Sequence, residues 1–217
     1  MLENNRSLKT LSLSRCFISE EGFESLARGL SCNTSLETLD LSCTDMGEPS
    51  VIALVNGLRI NKTLKCLDLS QNLPLSQSGR DAIARLLGYN VLRELNMFLT
   101  VDSIDAATWT NGLSDNRSIE KLNVVSAFAS SESVETFRAL CESLRGNTVL
   151  RYLTVGYNSE RLDGVSATAL ELNTTSLVTL DLFSNNVTSC GIAALAQGLQ
   201  GPCTLKELSL DQCRLID

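Results

Sequence analysis

The chain contains no histidine. Its absence removes the Ser-His and Cys-His nucleophile pairs and the usual general base near neutral pH. Neither a G-x-x-x-x-G-K-[ST] phosphate loop nor a G-x-G-x-x-G stretch occurs in the 217 residues, so no glycine loop is built to cradle a nucleotide. Eight cysteines are present but no CxxC pair, and ordinary zinc sites need histidine or paired cysteines. No catalytic residue, metal site or cofactor is expected, and the chain reads as a non-enzyme. No apolar run approaches the roughly 20 residues that span a bilayer. The opening "MLENNRSLKT" lacks the apolar core of a signal peptide. Basic residues are also in deficit: 25 acids against 18 bases give a net charge of −7. That offers no basic stripe to nucleic acid and nothing to an anionic membrane. Unclustered cysteines without a secretory signal point to the reducing cytoplasm.

What the chain does have is a period. Apolar residues open a motif at Leu8, Leu36, Leu64, Leu92, Ile119, Leu150, Leu177 and Leu205, with spacings of 28, 28, 28, 27, 31, 27 and 28. Each start is followed by apolar residues three and five places on, from Leu11/Leu13 and Leu39/Leu41 through Leu95/Met97 to Leu208/Leu210. An L-x-L core is a short strand whose alternate side chains point inward. A helical stripe follows in most units, as in "EEGFESLARGL", where Phe23, Leu26, Ala27 and Leu30 recur at i, i+3, i+4 and i+7. Glu20 and Glu21 precede that stripe and favour the positive end of a helix dipole rather than acting as a catalytic pair. Every unit runs the same way, so the strands must stack in parallel. Strands sit about 4.8 Å apart while helices need roughly 10 Å. The stack must curve, with strands on the inner wall over an arc of about 38 Å and helices outside.

This pattern, L-x-x-L-x-L-x-x-N with a full outer helix as in "NKTLKCLDLSQN", resembles the ribonuclease-inhibitor-like class of leucine-rich repeats. That class includes ribonuclease inhibitor, the sensor domains of NOD-like receptors and the Ran GTPase-activating protein. The resemblance implies an α/β horseshoe solenoid of about eight repeats, with parallel strands on the concave face and helices on the convex face. Residues 1–217 then form one leucine-rich-repeat domain. The chain opens almost directly on a repeat and stops at "DQCRLID", before a final helix. Solenoids need polar caps, so a fragment of a longer array is expected, with possible self-association through uncapped ends.

Position nine of each unit reads Cys16, Thr44, Asn72, Thr100, Ala127, Asn158, Asn185 and Cys213. The chain turns there, and a buried polar side chain can satisfy backbone groups without strand partners. Asn72 is thus expected to make a turn bond, with Cys16 and Cys213 as thiols in the same slot. Asn5, Asn33, Asn61, Asn116 and Asn147 each stand three residues before a unit's opening apolar residue. Asn tolerates the left-handed conformation that closes helices, so these are expected as helix terminators. Five of six N-x-[ST] sequons, at Asn5, Asn33, Asn61, Asn116 and Asn173, fall at this junction; the sixth, Asn186, falls in a strand-to-helix turn. The repeat itself generates the sequons.

Residues between the inward leucines face the hollow in three columns. The first runs from Thr10 and Thr38 through Cys66, Glu94, Lys121 and Tyr152, the second from Ser12 through Asp40, Asp68, Asn96 and Asn123, and the third from Ser14 through Phe98, Val125 and Phe183. Asp40 and Asp68 suggest a weak preference for a basic segment. In the third column Phe98, Val125 and Phe183 replace serine where the wall should be wet, with Tyr152 nearby. Exposed aromatic and apolar clusters mark binding surfaces. Phe98, Val125, Tyr152 and Phe183 are therefore the expected contact centre for a protein partner, rimmed by Glu94, Asn96, Lys121 and Asn123. The irregular segments 126–134 and 156–167 are candidate recognition loops. The leading functional reading is a cytoplasmic protein–protein interaction scaffold. Two alternatives follow from the resemblance: a small-GTPase regulator like the Ran GTPase-activating protein, and the sensor end of a NOD-like receptor.

Overall fold

Each unit contributes a strand of only three residues, because a leucine between two polar residues is all that the wall needs before the chain turns. The computed structural model describes residues 2–98, 106–125, 133–145, 147–156, 176–200 and 203–216. Strands β1 (Thr10–Ser12), β2 (Thr38–Asp40), β3 (Cys66–Asp68), β4 (Glu94–Asn96), β5 (Lys121–Asn123), β6 (Tyr152–Thr154), β7 (Thr179–Asp181) and β9 (Glu207–Ser209) form one open parallel sheet in that order. Register is strict. Leu11, Leu39, Leu67, Leu95, Leu122, Leu153, Leu180 and Leu208 pair in succession across it. From Leu39 to Leu180 these leucines are buried, as are Leu36, Leu41, Leu64 and Leu69. The inward ladder expected from the periodicity is present.

Helices α1 (Glu20–Cys32), α2 (Glu48–Leu58), α3 (Gln77–Gly88), α4 (Ala106–Leu113), α5 (Ser133–Ser143) and α6 (Ser189–Gly198) return the chain to the next strand, and α1 to α5 pack each on its successor. Ser19 starts α1 by accepting from the Gly22 N–H, and Thr188 starts α6 by accepting from the Gly191 N–H. Pro49 sits in the first turn of α2, where a missing N–H costs nothing. Helices α1 and α2 meet backbone to backbone: a methyl added at Gly57 would collide with the Ala27 carbonyl.

A further pair of strands, β8 (Asn186–Thr188) and β10 (Arg214–Ile216), forms a separate parallel ladder. Asn186, expected in a plain turn, opens β8. Extension arises because the Arg214 N–H donates to the Asn185 carbonyl and seeds pairing past the turn.

The junction asparagines Asn33, Asn61, Asn116 and Asn147 are buried and Asn5 is half-buried, but none is left-handed. Asn33 has φ −79° and ψ 135°, and Asn5, Asn61, Asn116 and Asn147 are not among the positive-φ residues either. Their side chains do the closing instead. The Asn61 amide donates to the Leu30 carbonyl at 2.8 Å and the Asn33 carbonyl at 3.2 Å, while its oxygen accepts from the N–H groups of Thr63 and Leu64 at 2.9 Å each. Asn33 makes the same four bonds one repeat earlier. Asn116 and Asn147 continue the pattern with the Leu87 and Asn116 carbonyls. A glycan on any of these buried amide nitrogens is incompatible with this packing. Left-handed residues fall instead seven residues after an opening leucine, at Arg15, Cys43, Gln71, Ser184 and Gln212, with φ between 54° and 60°, and also at Asp45 and Asn90.

The position-nine expectation holds at Asn72, whose amide donates to the Leu41 and Leu69 carbonyls and whose oxygen accepts from the Thr44 and Met46 N–H groups. The Cys213 thiol occupies the equivalent slot, donating to the Leu182 carbonyl at 3.1 Å. Cys16 does not share the burial. It is exposed, because among the described residues β1 has a strand neighbour on one side only. Thr100, Ala127 and Asn158 lie outside the described residues, as does Asn173.

Candidate partner-binding site

Between the buried leucines the wall carries two full columns. Thr38, Cys66, Glu94, Lys121 and Tyr152 are register partners in the first, and Asp40, Asp68, Asn96 and Asn123 in the second. Over β2 to β5 they line a groove of about 310 Å³ along the strands that carry Leu39, Leu67 and Leu95. Glu94, Asn96, Lys121 and Asn123, the rim in the sequence reading, are all in that lining. Glu94 stands directly across from Lys121, and Asn96 from Asn123.

The second column has a structural task that sequence reasoning missed. Each Asp or Asn side chain accepts from the backbone N–H two residues on, closing the strand's end. Asp40 accepts from Ser42 at 3.0 Å, Asp68 from Ser70 at 2.8 Å, Asn96 from Phe98 at 3.2 Å, Asn123 from Val125 at 3.4 Å and Asp181 from Phe183 at 3.2 Å. The recurring "LDLS" was the available signal. Neighbouring repeats are also tied together: the Ser12 hydroxyl donates to Asp40 and the Asn96 amide to Asp68. Burial pushes the Asp40 carboxyl up, but the N–H and hydroxyl of Ser42 and the hydroxyl of Ser12 outweigh it and hold it below the usual value. Asp40 stays charged at neutral pH. Burial and the nearby Glu94 charge push the Cys66 thiol up, so it stays protonated at neutral pH.

The apolar centre expected from the third column is not assembled as a wet surface. Val125 is only 1% exposed, a correction to its expected contact role. Phe98 and Phe183 are half-buried, and the Phe183 ring lies over Gly156 so closely that a methyl there would collide with it. Strand β5 ends at Asn123, so the alternation of faces ends two residues before Val125. Tyr152, inside β6, keeps its place on the wall and is 46% exposed. Of the candidate loops, residues 126–132 and 157–167 lie outside the described residues; 133–134 open α5, and Gly156 is buried beneath Phe183. Among the described residues no group of three or more Cys, Asp or Glu side chains is placed to hold a metal ion, and no helix is long and apolar enough to cross a membrane.

A leucine-rich-repeat family profile matches residues 4–27, 32–55 and 173–196. Among solved structures, the chain is similar to leiomodin-1 actin-binding site 2, with a TM-score of 0.53 and 22% identity over 65% of this chain and 84% of that one. It is also similar to TLR13 in its complex with ssRNA13, with a TM-score of 0.56 and 16% identity over 96% of this chain and 29% of that one. No curated protein sequence matches it. At such identities the likeness extends to the fold, a leucine-rich-repeat solenoid.

Proposed function

From a leucine-rich-repeat solenoid with an uncovered inner wall, we propose a non-enzymatic, cytoplasmic scaffold of the ribonuclease-inhibitor-like class that binds a protein on its concave face. The observation that carries this reading is the groove over β2 to β5, where Glu94, Asn96, Lys121 and Asn123 converge. A concave surface with a few convergent polar groups is a usual build of binding sites. Exposed Tyr152, one strand beyond Lys121, adds an aromatic anchor of the kind enriched at interface hot spots. Helices of 11 to 13 residues in the first three units favour the proposed subclass.

The test is capture of a protein partner on the immobilised chain. Thr38→Tyr with Cys66→Tyr fills the groove with a side chain the same column already holds at Tyr152, and should weaken capture by about tenfold or more. Tyr152→Ala should weaken it as well. Arg28→Glu on exposed α1 should leave it unchanged. Full capture by the filled-groove variant would exclude the inner wall as the binding face.

A further inference from the structure

We infer that the groove over β2 to β5 receives an extended, lysine- or arginine-bearing segment of the partner, an inference that rests on the concave wall being the binding face. Asp40, Asp68 and Glu94 line it against the single cation Lys121. Among the described residues the ion pairs are Lys9–Glu37, Glu24–Arg28 and Arg93–Glu120, and none of these three carboxylates takes part in one of them.

The strand-end turn itself does not need their charge. The strand-end turn requires a side-chain oxygen two residues before the donated N–H, and Asn96 and Asn123 supply it as Asp40 and Asp68 do. Glu94 is exposed and takes no part in that turn. Asp40 and Asp68 are register partners, about 4.8 Å apart as adjacent strands are. Two like charges so placed repel each other, and a cation set between them relieves both. An acid row on an uncovered sheet face is complementary to cations, and Lys121 stands beside Glu94 on the next strand.

The length of the acid row suits an extended occupant. From β2 to β4 the acids cross two strand separations, about 10 Å, the reach of about three residues of extended chain. Side chains of an extended segment alternate, so every second residue can point down into the acid row while its neighbours point out.

The experiment measures binding of fluorescein-labelled octa-arginine, with octa-glutamate and a Gly-Ser octapeptide as controls. The groove variant is Asp40→Asn with Asp68→Asn and Glu94→Gln. A charge-matched control is Glu20→Gln with Glu21→Gln and Glu24→Gln on α1. Octa-arginine alone should bind the native chain. The groove variant should raise its Kd more than about tenfold, at roughly fivefold for each carboxylate removed, and the α1 variant should change it less than about twofold. Glu94→Gln by itself, at a residue the turns do not use, should give roughly fivefold on its own. Equal weakening by the two triple variants would assign the binding to net charge and overturn the inference, as would unchanged binding by the groove variant. If the filled-groove variant loses the captured partner while the neutralised-groove variant keeps it, the cationic segment falls and the concave wall stands. If both variants keep the partner, both fall.

Discussion

At the scale of single residues, two side-chain types hold this solenoid open for work, and both serve backbone atoms. Asn61 satisfies two carbonyls and two N–H groups in a buried site. Asn61→Ala orphans all four, and the expected loss is at least about 3 kcal/mol of stability, read from urea unfolding. A loss below about 1 kcal/mol would mean that water replaces the side chain. Asp40 has a carboxyl held below its unfolded value of about 3.9. Its contribution to stability is therefore fully present above about pH 4 and is lost as pH falls through the lower folded value. Asp40→Asn should flatten that part of the acid limb when urea midpoints at pH 6 and pH 3 are compared. An unchanged slope would place the dependence elsewhere. The sequence displayed these asparagines clearly, through their spacing and the sequons they create. Their mode of action was hidden, because a left-handed backbone and an amide bridging two repeats both favour asparagine at a helix end. The bridge depends on the neighbouring repeat, which no local pattern contains.

At the scale of elements, the strands were legible because a leucine flanked by polar residues at 28-residue intervals admits one inward-facing register. Burying that ladder should make Leu69→Ala and Leu182→Ala each cost about 2–5 kcal/mol, from lost transfer energy plus the cavity left behind. Helix contacts were less legible. Gly57 looks like an ordinary weak point in α2, yet its missing side chain lets α2 rest on the Ala27 carbonyl of α1. Gly57→Ala, which in an isolated helix would stabilise, should here cost about 1–3 kcal/mol by overpacking. A stabilised Gly57→Ala protein, by thermal melt, would show that the two helices can separate without loss. The β8–β10 ladder escaped the sequence reading because "NVT" and "RLI" do not share the L-x-L template, and among the described residues each pairs only with the other.

At the scale of the whole molecule, the fold follows from arithmetic between strand and helix widths, and the groove follows from the fold. The columns inside the strands were read correctly as wall residues, since a period of two holds there. Beyond the strand ends it fails, which is why Val125 is buried and Phe98 and Phe183 became half-buried. The centre of the candidate site accordingly moves from an apolar cluster to the polar groove, with Tyr152 as its neighbour. Two native cysteines allow that assignment to be tested without altering the chain. Cys66 lines the groove, and Cys32 is exposed at the end of α1. Because the Cys66 thiol is pushed up, both should be labelled with N-ethylmaleimide at mildly alkaline pH, free and with the captured partner bound. The account predicts that the partner slows Cys66 labelling by about tenfold or more through solvent exclusion while Cys32 reacts as before; an unchanged rate at Cys66 beside a slowed Cys32 would contradict it.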